Sequence, residues 1–331
     1  MSASAMKGLG DAVRQAAGEI SAAQTIVMAC HVNPDGDALG SMLGLGLALA
    51  AAGKDVTCVS ADGVPDIYAF LPGQHLLARL TGADSYDLAI VLDSGDIERV
   101  GSALAAVKRA RRLLNLDHHA TAKGFGDVQL VDPSAASTSE IVYALLLALD
   151  IPVTAGVATC LFTGVTTDTG AFRFRNVTAN TLEVAARLVA AGASPAEISE
   201  RVFDNRSFAA TKLLGQALTA MESSADGRIV WTRVRYGDFV RLGASDEDTE
   251  GFVNYARNVR GAEIGILFRE LPDGSARVSL RGSHHVDVSL IAKQFGGGGH
   301  RMAAGCTAPG PLAEAEKAVV SLAVEQLKAI E

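Results

Sequence analysis

The chain has 331 residues, 49% hydrophobic and 20% charged, with a formal net charge of −8. That length exceeds one ordinary core and points to two domains, the composition excludes an extended disordered chain, and the acidic balance excludes a surface built to track a long phosphate backbone. Four cysteines, Cys30, Cys58, Cys160 and Cys306, stand far apart with no CxxC pair, which excludes a zinc knuckle and a disulfide framework.

Residues 1–20 lack the basic flank, apolar core and cleavage site of a signal peptide, and their spacing suits an amphipathic helix. The longest apolar tract, 38–53, is rich in Gly and Ala and falls short of the ~20 residues a membrane span needs, so it reads as a core helix. A cytoplasmic protein with no membrane partner is expected. Apolar strands are expected at 25–30, 88–92 and 112–116, each closed by acidic or imidazole residues, with a further strand at 55–60. Alternation of strand and helix is the pattern of a doubly wound, mainly parallel sheet with helices on both faces. Helices follow at 137–148 and 155–167, the second delivering Asp168, and a helical stretch runs over 179–221. The short basic cluster 108–112 reads as a solvated helix end.

From about Gly227 the pattern changes to that of a smaller α+β domain. Strands are expected at 228–234, 262–268 and 276–280, and helices at 248–259, 288–294 and 312–327. The division expected is therefore 1–190 for the first domain, 191–226 for a helical linker and 227–331 for the second. Gly296 to Gly299 precede His300; a glycine run usually marks a flexible linker, but this one lies inside the second domain, where consecutive N–H groups can turn inward on an anion. His284 and His285 read as solvated loop residues.

Four groups of residues carry most of the chemistry. His31-Val32-Asn33-Pro34-Asp35-Gly36-Asp37, Asp93, Asp117-His118-His119 and Asp168 fall just after expected strands or helices, and in open α/β sheets ligands bind along that edge. Singly, Asp35 and Asp37 suit a turn and a helix cap. Together these groups suit a divalent metal.

These motifs resemble those of the DHH phosphoesterases, and Gly296 to His300 resembles the GGGGH motif of the domain associated with them. The chain looks most like the branch of bacterial oligoribonucleases that also act on 3′-phosphoadenosine 5′-phosphate. The resemblance implies two Mn²⁺ per chain, with Mg²⁺ or Co²⁺ as substitutes. His31, Asp35 and Asp93 would hold one, and Asp37, Asp93, His118 and Asp168 the other. It also implies that Asp93 bridges them, that His119 faces the scissile phosphate, and that Asp117 supports the histidine pair. In the second domain Arg281, His300 and the N–H groups of Gly297, Gly298 and Gly299 would grip phosphate, with Arg257 a further candidate. Relatives commonly place Ser directly after the arginine corresponding to Arg281; here Gly282 follows and Ser283 is one position on. The expected partners are short RNA or DNA oligonucleotides and small nucleotides, not long nucleic acid, and homodimerisation is a base rate only. The expected reaction is hydrolysis to nucleoside 5′-monophosphates by in-line attack between two metals. Cyclic dinucleotide cleavage, pyrophosphatase or exopolyphosphatase action, and a nucleotide-sensing module without turnover are the alternatives.

Overall fold

The computed structural model describes residues 3–78, 85–120 and 122–330, and the side chains of residues 3–9 and of His300 lie outside that description. The chain divides into two compact units, Met1–Asn205 and Arg206–Glu331.

The first unit runs α1 (Ala3–Ala22), β1 (Thr25–Ala29), α2 (Gly36–Ala51), β2 (Asp55–Val59), β3 (Tyr86–Leu92), a 3-10 segment Ile97–Ala103 leading into α3 (Leu104–Val107), β4 (Ala110–Asp117), β5 (Val128–Val131), α4 (Thr138–Ala148), α5 (Ala155–Asp168), α6 (Ala179–Ala190) and α7 (Pro195–Phe203). Its five strands are parallel in the order β2-β1-β3-β4-β5. Ile26, Met28, Leu88, Ile90 and Leu92 face the core under α1, α2, α4 and α5, while Val27, Ala29, Ala89 and Val91 face the layer formed by the 3-10 segment and α3. Burial on both faces is why these strands are continuously apolar rather than alternating.

α2 packs along α5 through a row of glycines four residues apart. A Cβ on Gly36 would lie 2.5 Å from the Thr167 methyl carbon, one on Gly40 would strike the Cys160 carbonyl oxygen, and one on Gly44 would come within 2.9 Å of Leu161. Positions i and i+4 share a helix face, so the row lets the two helix backbones approach closely. The Gly/Ala-rich tract is thus a core helix shaped to fit α5.

The second unit runs α8 (Phe208–Thr219), β6 (Glu222–Ser223), β7 (Ile229–Val234), α9 (Tyr236–Leu242), α10 (Phe252–Arg257), β8 (Ile264–Glu270), β9 (Ala276–Gly282), α11 (Val288–Lys293), β10 (Gly298–His300), β11 (Ala303–Ala308) and α12 (Leu312–Lys328). Its sheet order is β10-β11-β9-β8-β7-β6, with only the β7–β8 pair parallel. Ile264, Ile266, Phe268, Val278 and Leu280 form one core with α11 and α12, and Leu267 and Val234 meet α8 and α10 on the other face.

Three local differences from the sequence reading have physical causes. The helix expected over 248–259 is cut to Phe252–Arg257 because Gly251 sits at φ +78° ahead of it. The stretch 179–221 breaks into α6, α7 and α8, with Gly192 at φ +111° and Pro195 opening α7. Of residues 191–226, read as a linker, α7 belongs to the first unit and α8 to the second. Among the described residues, no helix is long and apolar enough to cross a membrane.

Candidate metal centre

The strand order reverses between β1 and β3, and the crevice at their carboxyl ends is the natural ligand site of such a sheet. His31 leaves β1 there, Asp93 leaves β3, and Asp117 ends β4 with His118 and His119 behind it. His31 Nδ1 lies 2.8 Å from the Val32 carbonyl, which assigns a proton to Nδ1 and turns Nε2 toward Asp93 Oδ2, 3.5 Å away.

Asp35 does two jobs at once. Its Oδ1 caps α2 by accepting from the N–H groups of Asp37 at 3.1 Å and Ala38 at 3.0 Å, and its Oδ2 faces His31 Nε2 at 3.9 Å. Asp37 is fully buried in the first turn of α2 and accepts two backbone N–H groups from the start of α4, Thr138 at 2.6 Å and Ser139 at 2.9 Å. Gly164 of α5 leaves room for it: a Cβ there would lie 2.5 Å from Asp37 Oδ1 and strike Ser139 Oγ.

Asp93 sits at φ +54°, a left-handed angle that costs a non-glycine residue about 1–3 kcal/mol. Its Oδ1 accepts the Thr138 hydroxyl at 3.0 Å and lies 3.6 Å from His118 Nε2 and 3.7 Å from His119 Nδ1. His118 Nε2 is 2.9 Å from Asp168 Oδ2 at the end of α5. Asp117 is fully buried, and its Oδ1 accepts from the His118 N–H at 2.9 Å and pairs with His119 Nδ1 at 2.7 Å. The structure thereby draws the predicted Asp and His residues into three overlapping donor groups: His31–Asp35–Asp93, Asp37–His118–Asp168 and Asp93–His118–His119, each with donor atoms within 4.8 Å of one another.

The charge balance of this cluster fits a divalent cation. The ion pairs described for Asp35, Asp93 and Asp168 are with histidines, with no Lys or Arg among them. Asp35, although its side chain is half exposed, is pushed up to about 6 by desolvation and by Asp93 and Asp168. Burial, then Asp93 and Asp168, raise Asp37 well above the carboxylate range. Asp93 behaves oppositely: burial opposes its charge, yet the His31 hydrogen bond and the charges of His118, His119 and His31 hold it at about 2. For His118 burial disfavours the cation, but the Asp168 hydrogen bond and the carboxylates of Asp37, Asp168 and Asp93 lift it to about 10. A hard cation bound here would neutralise this cluster of carboxylates more fully than protons on the histidines do.

In the second unit Arg281 and His300 lie on one register row. Gly265 of β8 pairs with Arg281 of β9, Arg281 with Ala303 of β11, and Ala303 with His300 of β10. A Cβ on Gly265 would lie 2.5 Å from the Arg257 backbone nitrogen, so α10 approaches the sheet closely enough to set Arg257 beside this row. Arg257 Nη1 donates to the Ala262 carbonyl at 2.9 Å and Arg281 Nη1 to the Leu280 carbonyl at 3.1 Å. The His300 side chain lies outside the described residues. Gly297 and Gly299 have a packing reason of their own: Cβ atoms there would strike the Gly305 carbonyl and, at 2.5 Å, the Ala303 carbonyl. Gly298 to His300 therefore form an edge strand rather than an open loop. His284 and His285 are exposed, with ring centroids 3.5 Å apart.

Sequence reasoning missed Thr138, Ser139 and Asn176. Asn176 Nδ2 donates to the Ala136 and Asp168 carbonyls, each at 3.0 Å, tying the end of α5 to the loop before α4. A signal existed in Ser137-Thr138-Ser139, three hydroxyls where one cap needs only the Ser137 oxygen, which takes the Glu140 N–H at 3.2 Å.

The DHH family N-terminal domain matches residues 25–165 and the DHHA1 domain residues 226–329. The chain is 35% identical to the bifunctional oligoribonuclease and PAP phosphatase NrnA of Thermus thermophilus, covering 91% of this chain and 90% of that one. It is 28% identical to NrnA of Bacillus subtilis, covering 87% and 90%. An exopolyphosphatase-related protein of Bacteroides fragilis has the same fold, with a TM-score of 0.90 at 26% identity over 97% of both chains. On these grounds the chain belongs to the DHH family of phosphoesterases, as a hydrolase that carries a DHHA1 domain.

Proposed function

We propose that this protein hydrolyses short oligoribonucleotides to nucleoside 5′-monophosphates and dephosphorylates 3′-phosphoadenosine 5′-phosphate, using two divalent metals, Mn²⁺ in preference. The observation that carries this reading is Asp93, whose two oxygens belong to donor groups on either side of it: Oδ2 faces His31, and Oδ1 faces His118 and His119. The activities named for the relatives from Thermus thermophilus and Bacillus subtilis support the substrate class.

In this reading His31, Asp35 and Asp93 hold one ion and Asp37, Asp93, His118 and Asp168 the other. The bound ions supply charge neutralisation for the phosphate and a lowered pKa for the attacking water. The chain's own groups do the rest. The Nδ1 proton of His31, engaged by the Val32 carbonyl, keeps Nε2 available as a donor. Burial works against the His119 imidazolium, but the Asp117 hydrogen bond and the Asp93 charge raise its pKa, which suits it to protonate or charge-stabilise the leaving oxygen. Asp117 fixes the orientation of that ring. Arg281, Arg257, His300 and the N–H groups of Gly298 and Gly299 bind substrate phosphate, whereas the Gly297 N–H, expected to join them, donates to the Ala292 carbonyl at 3.0 Å, and a cytoplasmic site of action agrees with four free, buried cysteines.

The test is to incubate metal-free protein, with and without Mn²⁺, with a dinucleotide, 3′-phosphoadenosine 5′-phosphate, cyclic di-AMP and pyrophosphate in parallel. Mn²⁺-dependent turnover fastest on the first two is expected. Turnover fastest on pyrophosphate, or none on any nucleotide, would overturn the proposal.

A further inference from the structure

Thr138 hydrogen-bonds carboxylates from two different donor groups. Its backbone N–H donates to Asp37 Oδ2 at 2.6 Å and its hydroxyl to Asp93 Oδ1 at 3.0 Å, both fully buried contacts. Asp37 comes from α2 and Asp93 from the end of β3, so the start of α4 ties together two elements that otherwise reach the crevice independently.

The hydroxyl matters more than the N–H, because any residue at position 138 supplies the N–H. Asp93 is held at a left-handed backbone angle, and its Oδ1 is also the oxygen facing His118 and His119. A hydroxyl hydrogen on one lone pair of Oδ1 fixes the rotation of the carboxylate and leaves the remaining lone pair for a cation. Without it, the carboxylate is free to turn toward the imidazoles. Thr138 itself cannot drift. It is the first residue of α4, capped by Ser137, and the loop before it is held by Asn176 and by Glu140, whose Oε2 accepts the Ala136 N–H at 3.1 Å.

We infer that the Thr138 hydroxyl is a positioning group for metal uptake, setting the rotamer of Asp93 in which both of its oxygens serve the donor groups. The inference rests on the metal reading above. Outer partners of metal ligands are worth about 10–100-fold in metal affinity, and that is the size of effect expected.

The experiment is a titration of the metal-free full chain with Mn²⁺, following free Mn²⁺ by its electron paramagnetic resonance signal, for wild type, Thr138→Val, Thr138→Ser and Thr138→Ala. Thr138→Val should bind Mn²⁺ about 10–100-fold more weakly. Thr138→Ser, which keeps the oxygen, should stay within about threefold of wild type. Dinucleotide hydrolysis by Thr138→Val should need correspondingly more Mn²⁺ for half-activation, with kcat at saturating metal nearly unchanged, a split that a general loss of folding does not produce. Should Thr138→Val fail to fold, the Ser and Ala variants, which differ only in the hydroxyl, carry the same comparison. Equal Mn²⁺ affinity with and without the hydroxyl would overturn the inference while leaving the metal reading intact. A wild-type protein that takes up no Mn²⁺ would overturn both.

Discussion

Asp93 holds a left-handed backbone angle that ends β3 and, through its two oxygens, belongs to two of the three donor groups. If it serves both, its loss cannot be compensated by the remaining ligands. Asp93→Ala should reduce both turnover and bound metal by more than the roughly 100-fold that loss of an outer partner causes, measured by assay and by metal analysis of the purified protein; near-wild-type activity with two metals still bound would refute its role. His118 contributes to the pH dependence of the metal-free protein. Burial opposes its charge, but Asp168, Asp37 and Asp93 together raise its pKa from 6.5 to about 10. Because the folded pKa lies above the unfolded one, its proton stabilises the fold fully below about 6.5, and that stabilisation is lost as pH rises through about 10. A cation takes the same lone pair. Mn²⁺ uptake should therefore release protons and tighten as pH rises within that window, as calorimetry in two buffers of different ionisation enthalpy would measure. Affinity independent of pH would contradict the arrangement. The acidic and imidazole residues were legible in the sequence because each follows a strand or helix end. Thr138 and Asn176 were not, because hydroxyls and amides near helix starts are ordinary capping residues and only the tertiary contact distinguishes them.

The elements that deliver these residues are matched by glycines. α2 and α5 approach along Gly36, Gly40 and Gly44, and Gly164 makes room for Asp37 and Ser139. Gly164→Ala would push a methyl against both, with a cost of about 1–3 kcal/mol for overpacking and weakened metal uptake. Gly18→Ala is the contrasting case: on α1 its Cβ would meet nothing within 4 Å, and the change should stabilise the protein by about 0.4–1 kcal/mol. Denaturant melts of the two variants check both signs, and equal effects would contradict the packing argument. Strand positions were legible from apolar runs because both faces of this parallel sheet are buried. Helix ends were less so. Gly251 truncates α10 by its backbone angle, and the glycines at 297 and 299 are fixed by close approach of β11, which local sequence does not reveal.

At the scale of the whole molecule, the change from a βα pattern to a mixed one announced two domains, while the unit boundary at residues 205 and 206 was not visible because helices lie on both sides of it. A net charge of −8 leaves little general attraction for a polyanion, so affinity for substrate must come from a few local contacts. On the proposed function, each phosphate beyond those contacts should add little affinity. Metal-dependent hydrolysis directed at very short nucleotides is the activity proposed. Its most direct test is the initial rate on 5′-labelled RNA of increasing length at fixed salt, with excess Mn²⁺ and with a chelator. The rate should be highest on dinucleotides, fall as the strand lengthens, and vanish in chelator. Long strands degraded as fast as dinucleotides, or turnover unaffected by chelator, would contradict it.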